Sequence, residues 1–370
     1  MTRRAGLGMR VVAMAAAGFF WCGAQAGAQV TPAAGYTPPD DTPAVRVGGV
    51  LFLDYTNTQD PQITDADGNK VSASAFNVGR AYINVTGQVN HLFAFRITPD
   101  IARETGTGST LNGSLTYRHK YAYAQFNMDD WLWRGTYVRF GAIQTPYVDF
   151  EETVYRYRFQ GTIFVDREGY NSSSDVGVSF RTAFPNNYGE VIAGYYNGDS
   201  YTRAEPNDQK SFRIRATFRP FPGPGLLRGL RLTVYDDQDH TVKSADRDRF
   251  IASVLYEHKY VNAYYSYLKT TDQATTKVVP VDGDGYSFWI TPKTTFGLEG
   301  LFRYDKLNPN DANGSKKDRV IGGIAYWPKM AVATVNTAIL FDVEQVNYED
   351  FAPARPTEKR IAVHMLVTFQ

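Results

Sequence analysis

Beyond its first 28 residues the chain contains no cysteine, so the rest of the protein has neither a disulfide nor a thiolate metal site. The single Cys22 follows Phe20 and Trp21, not the small residues that precede a lipid-modified cysteine. Long apolar runs are missing as well. Past the opening segment no stretch reaches the roughly 18 residues that a membrane-crossing helix needs. An excess of one charge is also lacking: the formal +1 falls to −2 when Arg3, Arg4 and Arg10 of the opening segment are removed. A near-neutral chain with no basic run offers little to a polyanion, and nucleic acid is not an expected partner.

What is abundant points to strands. Aromatic residues make up 14% of the chain, with 25 Tyr and 23 Phe. That suits strands with one apolar face and, in a membrane barrel, aromatic girdles at the two interfaces. The opening residues read as a secretory signal. Arg3, Arg4 and Arg10 form the basic start, Val11 to Trp21 the apolar run, and Ala26-Gly27-Ala28 the cleavage site. Residues 1–28 are therefore expected to direct export, with a mature chain from Gln29. Residues 29–45 hold Pro32, Pro38, Pro39 and Pro43, which lack backbone donors, and read as a flexible periplasmic tail.

From about residue 46 onward, sixteen strands can be marked, an even number. They lie near 46–57, 76–87, 91–99, 115–127, 134–144, 175–183, 188–196 and 211–219, then 229–236, 248–257, 260–269, 284–292, 296–304, 318–326, 332–343 and 359–369. Many alternate with period two, as a wall with lipid on one side and water on the other requires. In the last, Ile361, Val363, Met365, Val367 and Phe369 share one face; Arg360, Ala362, His364 and Thr368 share the other, with Leu366 the exception. In 211–219, Phe212, Ile214, Ala216 and Phe218 oppose Arg213, Arg215 and Arg219. Such charges cannot face lipid cheaply and are assigned to an aqueous lumen.

Connections alternate between short turns and longer polar loops, the latter near 58–75, 100–114, 145–174, 197–210, 237–247, 270–283, 305–317 and 344–358. A β-sandwich has no reason to sort its loops this way. The expected fold is all-β: a transmembrane antiparallel β-barrel of about sixteen strands with long external loops, spanning 46–370, in a bacterial outer membrane.

The stretch Phe140-Gly141-Ala142-Ile143-Gln144-Thr145-Pro146-Tyr147, followed by Phe150-Glu151 and by Tyr170 to Phe180, resembles the phosphate-selective porin O and P family. The strand count and the long connection after the fifth strand resemble the trimeric porins of Gram-negative outer membranes. The resemblance implies a homotrimer set in outer-membrane lipid and lipopolysaccharide, and a third external loop, 145–174, folded inward as a constriction. It also implies passive diffusion of small hydrophilic solutes or inorganic ions, with anions such as phosphate among the candidates. The arginine ladder and lysine cluster of a phosphate channel cannot be aligned in full, so the solute stays open at this point.

Conduction needs no covalent chemistry, cofactor or metal, only a wet passage whose lining charges set ion preference. The candidate constriction carries Asp149, Glu151, Glu152, Asp166 and Glu168 with Arg156, Arg158 and Arg167; the strands opposite offer Arg80, Arg96 and Arg139. Loop carboxylates facing these wall arginines would set a transverse field, or the arginines would merely pin the loop; both readings stay open. Arg213, Arg215, Arg219, Arg231, Arg303 and Arg360 add positive lumen charge, which Glu190, Glu299, Asp342 and Glu344 oppose.

Other features read more plainly. Asp65-Ala66-Asp67-Gly68-Asn69 and Asp282-Gly283-Asp284-Gly285 look oxygen-rich but lack calcium-loop spacing, and solvated turns explain them. Trp131, Trp133, Tyr326 and Trp327 flank short turns, either at the headgroup level or as turn packing. Two other function classes remain: a rim hydrolase built on Asp236, Asp237, Asp239 and His240, and a filled receptor or adhesin barrel. A barrel of sixteen strands is too wide to be filled by its own wall side chains alone.

Overall fold

The computed structural model describes residues 41–369. The expected signal 1–28 and most of the expected tail lie outside them. Alternation decides the rest. Along the last strand Val363, Met365 and Phe369 are exposed on the outer wall while Ala362, His364 and Leu366 are buried inside. Repeated around the molecule, that pattern gives one closed sheet in which every backbone ladder is satisfied by a neighbour, the condition for β-structure in hydrocarbon.

The first eight strands are β1 (Ala44–Thr64), β2 (Lys70–Gln88), β3 (Phe93–Arg103), β4 (Leu115–Asn127), β5 (Tyr137–Gln144), β6 (Ser174–Ala183), β7 (Gly189–Tyr196) and β8 (Ser211–Phe218). The second eight are β9 (Leu230–Gln238), β10 (Ala245–Glu257), β11 (Val261–Asp272), β12 (Val281–Pro292), β13 (Leu298–Asn310), β14 (Ser315–Tyr326), β15 (Val335–Glu349) and β16 (Glu358–Phe369). A three-residue strand, His240–Val242, extends the edge of β10. Each strand pairs antiparallel with the next, and β1 pairs with β16 from Gly49↔Phe369 to Asp60↔Lys359, which closes the barrel. At this seam the Phe369 ring lies flat over Gly49, where any side chain would collide with it.

All sixteen expected strands are present, but several run further at the end where the long loops were placed. The expected loop 58–75 is mostly hairpin: β1 and β2 continue to a turn at 65–69, with a register shift around Pro61, which has no donor to give. Asp65 closes that turn, its Oδ1 accepting from the backbone of Asp67 (3.0 Å) and Asn69 (2.8 Å). Asp282 to Gly285 belong to β12 and pair across to β11, so the second oxygen-rich segment is strand and not loop. Polar residues prolong these hairpins because paired strands need no apolar face once they leave the bilayer.

At the opposite rim, the turn after β2 holds the start of the described chain. His91 donates to Asp41 through one ring nitrogen and to Asp130, 2.9 Å away, through the other. The hydrogen bond to Asp41, followed by that to Asp130, raises the His91 value above the ordinary 6.5. A raised folded-state value gives anchorage that is complete below the ordinary value and fades as pH climbs through the raised one. Asp41 is lowered below 3.8 by the same hydrogen bond, so on the acid side its contact persists until pH falls through that lowered value. A spin label on Thr42→Cys is expected to gain mobility on alkalinisation, and to show no such transition in His91→Gln. A pH-independent label would mean that the clasp carries no charge.

Candidate functional site

The connection between β5 and β6 begins at a closed base. Gln144 pairs with Ser174 in the sheet, and Thr145 N–H donates to Ser173 O at 3.4 Å. Between them the chain turns into the lumen through two short helices, α1 (Pro146–Glu152) and α2 (Phe164–Arg167). Pro146 opens α1 at the position where a missing N–H costs nothing.

The loop stays inside because it is apolar and so is the wall it meets. Tyr147, Val148, Tyr155, Tyr157, Ile163, Phe164 and Val165 pack against inward-facing Tyr235, Leu255, Tyr264, Leu268, Trp289, Leu301, Leu340 and Leu366. Tyr264 stacks on Trp289 with ring centres 5.3 Å apart. Each such side chain contributes about 1.5–3 kcal/mol when fully buried, which makes this a core inside the barrel. Leu366, which breaks the alternation of β16, is part of it. Trp327 also points inward, between Tyr157 and Phe159, and does not rest at the headgroup level. Trp131 and Trp133 are exposed on their turn.

Polar clasps fasten the same loop. Arg156 pairs with Glu299 at 2.5 Å and lies 3.8 Å from the Trp327 ring, while the Tyr157 hydroxyl donates to Glu299 at 2.9 Å. Glu344 receives Arg167 (2.8 Å), Arg319 (3.2 Å) and Arg360 (2.6 Å). Glu168 receives Lys317 at 2.7 Å and Arg319. Trp289 donates to Glu151 at 3.1 Å, and Arg303, neutralised by Asp305, donates to Thr162 O at 2.7 Å. Four of the eleven expected constriction residues, Glu151, Arg156, Arg167 and Glu168, thus hold the loop to strands β12–β16. Their partners are not Arg80, Arg96 or Arg139, the wall arginines expected to face them. Asp149 is half-buried and does lie in the field of Arg139, Arg96 and Arg215.

Space remains between the loop and the other half of the wall. A vestibule of about 470 Å³ is lined by eight arginines, Arg80, Arg118, Arg158, Arg167, Arg203, Arg213, Arg247 and Arg249, and by four aspartates, Asp166, Asp199, Asp237 and Asp239. Many of these charges cancel: Arg80 and Arg118 share Asp100, Arg213 pairs with Asp175 and Asp237, and Arg247 with Asp199 and Asp239. Asp237 and Asp239 are thereby committed, and His240 faces Asp246. The expected loop 197–210 roofs the vestibule with Tyr201, whose ring lies under Arg118 at 5.0 Å.

Arg158 also lines a second, far smaller cavity of about 40 Å³, termed the throat below, with Val50, Phe52, Tyr82, Asn84, Arg96, Thr98, Lys120, Tyr121 and Glu152. Glu152 is ion-paired with Arg158. Arg96 donates to Thr98 (3.0 Å) and Asn84 (2.9 Å) and stacks over Tyr121 at 4.5 Å. Lys120 lies over the rings of Tyr82 and Tyr121, at 5.0 and 5.3 Å. Among the described residues neither Arg96 nor Lys120 is ion-paired with a carboxylate. Sequence reasoning missed Lys120 because a register shift between Thr98 and Pro99 breaks the alternation of β4 beside it, and Lys120 and Tyr121 both reach the throat.

Arg139 lines neither space. It is sandwiched between Tyr137 (4.2 Å) and Tyr123 (4.9 Å) and donates to Gln125 (2.9 Å) and Gln144 (3.1 Å). Arg139→Ala is expected to lower unfolding stability by about 1.5–3 kcal/mol, read from thermal melts in detergent, and to leave the reversal potential of the channel close to wild type. A large change in ion selectivity with an unchanged melt would contradict this placement.

A family model described as phosphate-selective porin O and P matches residues 45–277. No curated protein matches the sequence. In fold the chain is similar to the anion-selective porin from Comamonas acidovorans, with a TM-score of 0.61, 12% identity, and 89% of this chain and 100% of that one covered. It is also similar to OmpT of Vibrio cholerae lacking loop L8 (TM-score 0.60, 14% identity, 89% and 100% covered). A third similar structure is the outer-membrane channel DcaP of Acinetobacter baumannii (0.58, 11%, 88% and 97%). One structure of OmpT is described as a trimer form. With the family model matching over half of the chain, on a closed barrel whose third external loop folds inward beside a vestibule of about 470 Å³, this protein belongs to the phosphate-selective porin O and P family and is a channel of the bacterial outer membrane.

Proposed function

We propose that the channel passes small hydrophilic anions, phosphate among them, by passive diffusion, and that residues 145–174 are its constriction. One observation carries this reading. The throat is lined by three cations, Arg96, Lys120 and Arg158, against one carboxylate, Glu152, and two of those cations have no ion-pair partner among the described residues. An unneutralised cation pair in a narrow, poorly hydrated passage lowers the energy of an anion and raises that of a cation. No covalent step, cofactor or metal is needed. The proposal extends to a homotrimer in lipid and lipopolysaccharide, exported by residues 1–28.

Planar-bilayer currents in a potassium chloride gradient test it. The wild type is expected to give an anion-favouring reversal potential, and Arg96→Gln with Lys120→Gln to move that potential to zero or beyond. A cation-favouring wild type would overturn the reading. Chemical cross-linking in native outer membranes tests the trimer, with monomer alone as the contrary result.

A further inference from the structure

The lumenal loop leaves a break in the wall. β5 quits the sheet at Gln144 to enter that loop, so the ladder between β4 and β5 stops at Ala122↔Ala142, and residues 115–119 of β4 are paired with β3 on one side only. Beside that break, at the top of the vestibule, lies the connection 197–210. Its two ends are pinned. Gly198 N–H donates to Asp175 at 3.0 Å, Arg247 holds Gly198 O at 3.1 Å and Asp199 at 3.4 Å, and Asn207 donates to Thr241 O at 3.1 Å.

Residues 200–206, between these pins, are held differently. Tyr201 N–H donates to Ser174 O at 3.1 Å, and its ring reaches over the break to Arg118 on β4, 5.0 Å away. Side-chain hydrogen bonds of the segment stay inside the loop, Ser200 with Thr202 and Glu205 with Asn207 and Lys210. Thr202, Arg203, Ala204 and Pro206 are exposed. Arg118 is itself loosely tied, since Arg80 takes their shared Asp100 oxygen at 2.7 Å and leaves Arg118 3.4 Å from it. Ser200, at φ +66°, holds a left-handed conformation that a non-glycine residue rarely keeps without a constraint, and Gly198 beside it stands at +101°. A cation–π stack at a half-exposed site is weak, and lids closed by contacts of that strength open within microseconds to seconds.

We propose that residues 200–206 form a lid over the extracellular mouth of the vestibule, latched by the stack of Tyr201 on Arg118. With the latch made, Tyr201 bars the opening between β4 and the top of β6. With it broken, the segment swings about its pins at Gly198 and Asn207 and the mouth widens. The two states differ in conductance, because the vestibule lies in series with the rest of the lumen. The lid does not depend on which ion the channel favours.

Single-channel recordings of the purified protein in planar bilayers test the lid. The wild type is expected to alternate between two conductance levels. Tyr201→Ala is expected to shorten the time spent in the lower level about two- to fivefold, the worth of one exposed cation–π stack, and Tyr201→Phe, which keeps the ring, to match the wild type. Arg118→Cys with Tyr201→Cys, in a chain whose one natural cysteine is Cys22, can be bridged by a bis-methanethiosulfonate reagent. The bridged channel is expected to stay in the lower level until the bridge is reduced. One steady level in the wild type, dwell times unchanged by Tyr201→Ala, or a bridged channel that still reaches the upper level would each overturn the lid, whatever the reversal potential.

Discussion

Glu344→Ala is expected to unseat the lumenal loop and to cost about 3–5 kcal/mol of unfolding stability, because it strips one carboxylate from three guanidinium groups at once. Arg167 reaches Glu344 from the loop, Arg319 from β14 and Arg360 from β16, and Gln160 adds a fourth donor at 2.9 Å. With the acceptor gone, three cations crowd one corner of the lumen and repel one another. The loss is readable in two ways. Denaturant unfolding in detergent should shift to lower midpoint, and the loop, buried in the wild type, should become open to protease from the lumen side. Current traces should turn noisy as well. A variant with wild-type stability and a resistant loop would show that the aromatic core alone holds the segment. Glu344→Gln separates charge from size: it keeps an acceptor oxygen and should lie between the two.

Deletion of the loop should have the largest effect on conduction. Gln144 and Ser174 are already register partners, so an Asn-Gly pair can replace residues 145–173 as a two-residue turn without moving either strand. The barrel is expected to close as before, since β1 and β16 make its seam far from this site. Single-channel conductance should rise about twofold or more as the widest part of the lumen opens, and anion preference should fall with the loss of Arg158. Stability should fall too, because Tyr264, Trp289 and Leu340 then face water. Unchanged conductance would place the passage away from the loop and contradict the vestibule and throat described above.

How much of this could be read from residues alone follows from what the bilayer imposes. Lipid on one side and a wet lumen on the other force a period of two, so all sixteen strands and the inward course of Arg80, Arg96, Arg139, Arg213 and Arg215 were legible. Strand ends at the long-loop rim were not, because above the membrane polar residues such as Thr58, Lys317 and Gln345 keep pairing with no apolar face to mark them. The charges of the loop were legible as a group, but the partners of Glu151, Arg156, Arg167 and Glu168 lie more than a hundred residues away and no local pattern assigns them. Lys120 was hidden by a bulge, and Arg139 by the two tyrosines that enclose it. One signal was available and unused: from β10 to β16 the inward positions carry Leu255, Leu268, Trp289, Leu301, Leu340 and Leu366, and a strand apolar on both faces must have something apolar packed inside it.

The reach of those loop contacts also dictates an order of events during biogenesis. Tyr157 meets Glu299 across 142 residues, and Gln160 meets Glu344 across 184, so the segment has no seat until the carboxyl-terminal strands have arrived. The loop is therefore a late element of assembly, whose docking cannot precede the arrival of β13 and β15. Until then the apolar side chains that end up in the lumenal core, Tyr147, Tyr155 and Tyr157 among them, have nothing from those strands to cover them.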